Sequence, residues 1–247
     1  MPAAGIPRRS ARRSRTDRVT PLWHPSPNFG ARRDGLRPSL IVLHYTAMKG
    51  ARAALERLCD PAAEVSAHYL IGADGTVWQM VREADRAWHA GAGSWRGCDD
   101  INSRSIGIEL DNLGTHPFSE PQISALEALL AGIMIRWGIG PAGVIGHSDM
   151  APGRKCDPGP RFDWSRLARQ GLALAHHPQA GGVAEAQGFR ALARRAGYPE
   201  ADDGDLLSAV RHRLRPWGRG PLSPADMEAL AGFVAAQEAA GGAMRGT

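Results

Sequence analysis

The chain has 247 residues, 43% hydrophobic and 22% charged, the balance of a globular protein with apolar side chains enough for a sizeable core. No run reaches the eighteen or so apolar residues that a membrane-spanning helix needs. The formal charge of +5 hints at nucleic acid, but Arg8, Arg9, Arg12, Arg13, Arg15 and Arg18 against Asp17 account for all of it. The remainder is neutral, which excludes a basic nucleic-acid binder.

Residues 1–20 read as a basic disordered leader. No apolar h-region follows the arginines, so the segment is neither a secretory nor a twin-arginine signal as written, and no nearby cysteine offers a lipid attachment site. Cys59, Cys98 and Cys156 are odd in number and widely spaced, which predicts no disulfide framework and a reducing compartment. The expected location is therefore the cytoplasm, with the periplasm or cell envelope as the alternative if the true N-terminus differs.

After an irregular, proline-rich entry at residues 23–30, Leu40-Ile41-Val42-Leu43 is a continuous apolar run, typical of a buried strand. It ends in the polar His44-Tyr45-Thr46. The spacing of Ala54, Leu55 and Leu58 predicts a helix over 50–59, stopped by Asp60-Pro61. Runs at 65–71 and 76–81 flank Gly72-Ala73-Asp74-Gly75, a hairpin signal. Residues 88–104, rich in Gly, Ser, Asp and Trp, read as a long surface loop. Ile106, Ile108 and Leu110 alternate along a strand that puts Glu109 on the opposite face. Residues 121–137 carry the clearest helical stripe, opened by Pro121 and closed at Gly138. A short strand at 144–145 leads into the Gly146–Pro160 loop, whose three prolines and three glycines rule out a regular helix. A helix from Trp164 to about Ala175 closes a first domain over 21–175. Residues 176–187 read as a linker, and 188–240 as a small domain of three helices.

Chemistry concentrates at the strand ends. His44 and His147 each follow a short apolar strand, and two imidazoles with one carboxylate make a three-ligand zinc site with a fourth position open. On pattern alone the carboxylate is either Asp149 or Asp157; spacing does not decide. Glu109, isolated among apolar neighbours, is too costly to bury without a purpose and suits a general base. Lys155 suits a donor to a developing oxyanion. Trp88 and Trp95, in the glycine-rich loop, are candidates for sugar or peptide contact.

These residues fall in blocks that resemble the zinc N-acetylmuramoyl-L-alanine amidases of the AmpD/AmiD type. The blocks are Val42-Leu43-His44-Tyr45-Thr46, Ser66-Ala67-His68-Tyr69-Leu70-Ile71, Ala87-Trp88-His89-Ala90-Gly91 and Asn102 ahead of Ser105-Ile106-Gly107-Ile108-Glu109-Leu110. Gly146-His147-Ser148-Asp149 and Arg154-Lys155-Cys156-Asp157-Pro158-Gly159-Pro160 complete them, in order, over about residues 22–172. The resemblance implies an α/β fold, a mixed β-sheet flanked by helices, shared with peptidoglycan-recognition proteins. It implies zinc held by His44, His147 and Asp157, with Glu109 as general base and Lys155 stabilising the oxyanion. It moves His68 towards a structural role and His89, Trp88 and Asn102 towards the substrate cleft. The implied reaction is hydrolysis of the amide between N-acetylmuramic acid, or its 1,6-anhydro form, and L-alanine in peptidoglycan or muropeptides. A non-catalytic peptidoglycan-recognition module is the alternative. Ala196-Gly197-Tyr198 and Arg213-Leu214-Arg215-Pro216 resemble parts of the helical peptidoglycan-binding module that follows the catalytic domain in AmiD-type enzymes.

Overall fold

A computed structural model describes residues 20–243; the basic leader expected at 1–20 lies, but for Thr20, outside the described residues. In chain order the strands are β1 (Leu22–Trp23), β2 (Phe29–Gly30), β3 (Leu40–Tyr45), β4 (Tyr69–Ile71), β5 (Val77–Gln79), β6 (Arg86–Ala87), β7 (Ser105–Leu110) and β8 (Val144–Gly146). The helices are α1 (Ala51–Cys59), α2 (Ile101–Arg104), α3 (Glu120–Trp137), α4 (His147–Met150), α5 (Trp164–Arg169), α6 (Ala186–Ala196), α7 (Asp203–Leu214) and α8 (Pro224–Ala243). None of these helices is long and apolar enough to cross a membrane.

Six strands form one mixed sheet in the order β1-β5-β4-β7-β3-β8, antiparallel only between β4 and β5. This is the expected α/β architecture. The apolar run of β3 lies between parallel β7 and β8, and helices cover the sheet there on both faces. Strand parity then divides the core. Ile41, Leu43, Ile106, Ile108 and Val144 face one way and pack with Leu126, Leu130 and Ile133 of α3 and Leu167 of α5. Val42 and Ile145 face the other way and pack with Phe189 of α6, Leu214 of α7 and Phe233 of α8. That second apolar cluster crosses the boundary drawn at 176–187. The segment there lies along α8: the Gln179 N–H donates to Glu228 O at 3.0 Å, and a Cβ on Gly232 would sit 1.9 Å from His177 O.

Local signals held where they were strong. Ser119 caps α3 through the Gln122 N–H, and Gly138, at φ 66°, ends it. Four expectations are corrected. The stretch 88–104 is no surface loop, because Ala90, Trp95 and Ile101 are buried and α2 lies within it. Trp95 packs edge-on against Tyr198, so it is a packing residue rather than a sugar contact. The Gly146–Pro160 loop opens with one helical turn, α4, and the helix expected to reach about Ala175 ends at Arg169, ahead of Gly171 at φ 71°. The two-residue strands β1, β2 and β6 are too short to show periodicity and were not foreseen.

Candidate metal centre and cleft

Register builds the site before any side-chain contact is considered. His44 is the direct partner of Glu109 across β3 and β7, and Leu43 pairs with Gly146, which places His147 just past the next strand end. Three adjacent parallel strands thus deliver His44, Glu109 and His147 to one edge of the sheet, on the face opposite the α3 layer. They line a cleft of about 590 Å³ together with Ala54, Arg57 and Leu58 of α1, Trp88, His89, Arg154, Lys155, Cys156 and Asp157.

Within it His44 Nδ1, His147 Nδ1 and Asp157 Oδ2 converge. The His44–His147 separation is 2.9 Å, His44–Asp157 2.8 Å and His147–Asp157 3.0 Å, and all three residues are buried. The backbone ties the two contributing segments together, since the Ser148 N–H donates to Asp157 O at 2.9 Å. The geometry therefore separates the two aspartates that the pattern left open. Asp149 points away from the cleft and accepts from the Gly146 N–H, Tyr198 Oη and Arg213.

The hydrogen-bond network assigns the imidazole tautomers. A carbonyl only accepts, so Ser105 Oγ–H donates to Ile101 O at 2.6 Å. The Ser105 oxygen then accepts from His89 Nε2–H at 3.2 Å, which leaves His89 Nδ1 as an acceptor for His44 Nε2–H at 3.0 Å. His44 Nδ1 consequently carries a lone pair. His147 Nε2–H donates to Ala90 O at 2.9 Å, so His147 Nδ1 carries one too. Two imine nitrogens and a carboxylate oxygen face one point with no hydrogen among them. Such a donor set suits a divalent cation, and the carbonyl and serine behind it are the partners that fix metal-binding imidazoles.

The electrostatics agree. Burial, and then the neighbouring His147, push the His44 pKa down to about 4, keeping the ring neutral. At Asp157 burial favours the neutral acid, but the two neighbouring imidazoles, His147 and His44, outweigh it and hold the carboxyl well below its usual range. Glu109 behaves oppositely: burial, with the Asp157 charge nearby, raises it to about 8, and Lys155 only partly offsets this. Its Oε2 is buried without a hydrogen-bond partner. A buried carboxyl oxygen without a partner is costly, and such groups cluster where chemistry is done.

The remaining predicted residues divide. Lys155 is exposed and lines the cleft, as does half-buried Trp88. His89 touches the cleft but also stands behind His44, and its ring lies 2.4 Å from where a Cβ on Gly107 would be, so only glycine fits there. Asn102 sits behind the cleft, its Oδ1 accepting from the His89 and Ala90 N–H groups at 3.0 and 2.8 Å. His68 is structural: Nδ1 accepts from the Gly107 N–H and Nε2–H donates to Asp85 O. Ser105 was not foreseen, because nothing in the strand's alternation distinguishes a serine aimed at a histidine. Arg154, which donates to Ala90 O at 2.7 Å, and Tyr45, 2.9 Å from Cys156 Sγ, were also not singled out.

The profile of the N-acetylmuramoyl-L-alanine amidase family matches residues 34–160. The AmiD amidase of Escherichia coli K12 is 42% identical over 152 residues, 55% of this chain and 54% of AmiD's own length. The 1,6-anhydro-N-acetylmuramyl-L-alanine amidase AmpD of Citrobacter freundii is 36% identical over 160 residues, 58% of this chain and 86% of that protein. Among solved structures, Escherichia coli AmiD in complex with anhydro-N-acetylmuramic acid-L-Ala-D-gamma-Glu-L-Lys superposes with a TM-score of 0.74 at 33% identity, over 81% of this chain and 90% of that one. AmpDh3 of Pseudomonas aeruginosa superposes with a TM-score of 0.71 at 29% identity, over 96% of this chain and 99% of that one. Fold, matched residues and relatives agree: the chain belongs to the N-acetylmuramoyl-L-alanine amidase family.

Proposed function

We propose that this chain is a zinc-dependent amidase that hydrolyses the amide between the lactyl carboxyl of N-acetylmuramic acid, or its 1,6-anhydro form, and L-alanine of the stem peptide. The observation that carries the reading is the set of three converging lone pairs at His44, His147 and Asp157 beside the unpartnered Glu109 carboxylate. The relatives crystallised with anhydromuramyl peptides support the substrate class.

In this reading His44, His147 and Asp157 hold zinc, and Glu109 and Lys155 carry the protons and charge. A zinc ion there would polarise the scissile carbonyl, acidify water and lower the Glu109 pKa through its charge. Glu109 takes a proton from the attacking water and delivers it to the leaving alanine nitrogen as the C–N bond breaks. Lys155, at the cleft rim, holds the negative charge that develops on the carbonyl oxygen. Ser105 and His89 keep the His44 lone pair aimed inward throughout. Trp88 and His89 line the cleft for the muramyl group or peptide, and Asn102 supports them from behind. The products are a muramic carboxylate and a free stem peptide. A recognition module without catalysis has no use for a glutamate whose Oε2 is buried without a partner, and that favours the enzyme.

The helical segment 188–240 is proposed as a peptidoglycan-binding-like unit, and the cytoplasm as the compartment, on the strength of three free thiols at Cys59, Cys98 and Cys156. Cell fractionation tests the latter. The reaction is tested by mass spectrometry of an anhydro-muropeptide incubated with the protein, with and without a chelator. Chelator-sensitive release of stem peptide is expected. No release from this substrate or from intact sacculi, by zinc-loaded protein, would leave the recognition module standing instead.

A further inference from the structure

The helical segment does more than pack beside the sheet: two of its side chains end on the turn that carries His147. Asp149 lies in that turn and is 1% exposed. Its Oδ2 accepts from the Gly146 N–H at 2.8 Å and from Arg213 Nη1 at 2.7 Å. Its Oδ1 accepts from Tyr198 Oη at 2.9 Å. The second arm of Arg213 donates to Val144 O at 3.0 Å, so one guanidinium grips both ends of the segment 144–149. Arg213 is itself 5% exposed and lies over the Trp164 ring, 4.1 Å from its centroid, and the Phe233 ring at 5.0 Å. A charge so deeply buried is tolerated only where its partners are fixed.

We propose that Arg213 and Tyr198, from the C-terminal helical segment, are positioning residues for the metal centre, acting through Asp149 on the turn that holds His147. The inference rests on the reading of His44, His147 and Asp157 as zinc ligands. Its physical content is leverage. His147 and Asp149 stand two residues apart on one turn, and Ser148 between them donates its N–H to Asp157 O. A shift of this turn therefore moves two ligands of the three. Tertiary partners outside the ligand shell typically change metal affinity by about tenfold to a hundredfold when removed. The helical segment thus completes the centre as well as covering the sheet.

The test is the zinc dissociation constant of the full-length protein, measured by competition with a chromophoric chelator at a temperature where each variant is folded by circular dichroism. Arg213→Met should weaken zinc binding at least about tenfold, and Arg213→Lys, which keeps the charge but not the two-armed grip, should fall between it and wild type. Tyr198→Phe should weaken it by a smaller factor, about threefold, because Arg213 still holds the same carboxylate when this one hydrogen bond is lost. Arg211→Met is the control. Arg211 bonds Asp226, Gly220 and Pro221, all within the helical segment, so this change should lower the melting temperature and leave zinc affinity within about twofold. Folded Arg213→Met and Tyr198→Phe proteins that bind zinc as tightly as wild type would overturn the proposal. If Arg213→Met does not fold, Tyr198→Phe alone decides. Wild-type protein that binds no zinc would instead bring down the amidase reading, and this proposal with it.

Discussion

Two buried polar clusters meet on the single turn His147–Met150, and they are built on opposite terms. On the bundle side, Asp149, Arg213, Tyr198 and the Gly146 N–H form a closed set in which both carboxylate oxygens and both guanidinium arms are occupied. On the cleft side, His44, His147 and Asp157 present lone pairs to one another, and the Glu109 Oε2 has no partner. A closed polar set fixes geometry, because every group would lose a bond by moving. An open set costs stability unless a ligand completes it. The chain places the closed set directly behind the open one, in which His44 Nδ1, His147 Nδ1 and Asp157 Oδ2 lie within 3.0 Å of one another.

The contrast can be broken at the open side first. His44→Ala removes one of three donors and should abolish stoichiometric zinc binding, read as metal content after gel filtration; full occupancy would mean that the ligand set is wrong. Glu109→Gln is the next largest effect. It keeps the shape, loses the titratable oxygen, and should cut the turnover number by about a hundredfold to ten-thousandfold with zinc content unchanged. Unchanged turnover would remove Glu109 as the base.

Finer changes sharpen the contrast. Ser105→Ala removes the acceptor that fixes the His89 tautomer and, through it, that of His44. It should weaken zinc about tenfold without altering the ligands; equal affinity would show that the relay does not set the His44 lone pair.

The smallest effect belongs to acid stability away from the centre. Burial lowers His68 to about 3 and His176 to about 4, against an ordinary value of 6.5. Both are neutral when folded and protonate readily when unfolded. Their stabilising contribution is therefore complete above pH 6.5 and lost progressively as the pH falls towards 3–4. The slope is about 1.4 kcal/mol per pH unit for each proton. His176→Gln should flatten the loss of melting temperature between pH 6.5 and 4, and an unchanged slope would show that His176 does not titrate on unfolding.

Much of this was legible along the chain. The unbroken run Leu40–Leu43 marked the central strand, the alternation at Ile106, Ile108 and Leu110 isolated Glu109, and Pro121 and Gly138 bracketed the long helix. Each is a local pattern with a local cause. The histidines at strand ends stood out for the same reason, since a polar residue closing an apolar run has few uses other than chemistry. What failed were features whose cause lies elsewhere in the chain. Residues 88–104 have the composition of a surface loop, yet Trp95 is buried because Tyr198, about a hundred residues on, covers it. The strands β1, β2 and β6 exist only through their partners.

Local patterns along the chain set the sheet's central strands, the α/β class and the short list of residues able to hold a metal or move a proton. Periodicity, proline and glycine act over a few neighbours and need no tertiary knowledge. Pattern and spacing left Asp149 and Asp157 undecided; the family resemblance pointed to Asp157, and the tertiary structure supplies the physical reason. Both are aspartates of one loop, two and ten residues from His147. One backbone turn sends the first towards Arg213 and Tyr198, and the second folds back to within 3.0 Å of His147 Nδ1. The direction of a side chain within a loop is set by what packs on either side of it. Here those neighbours come from strands and helices that the chain brings together only on folding.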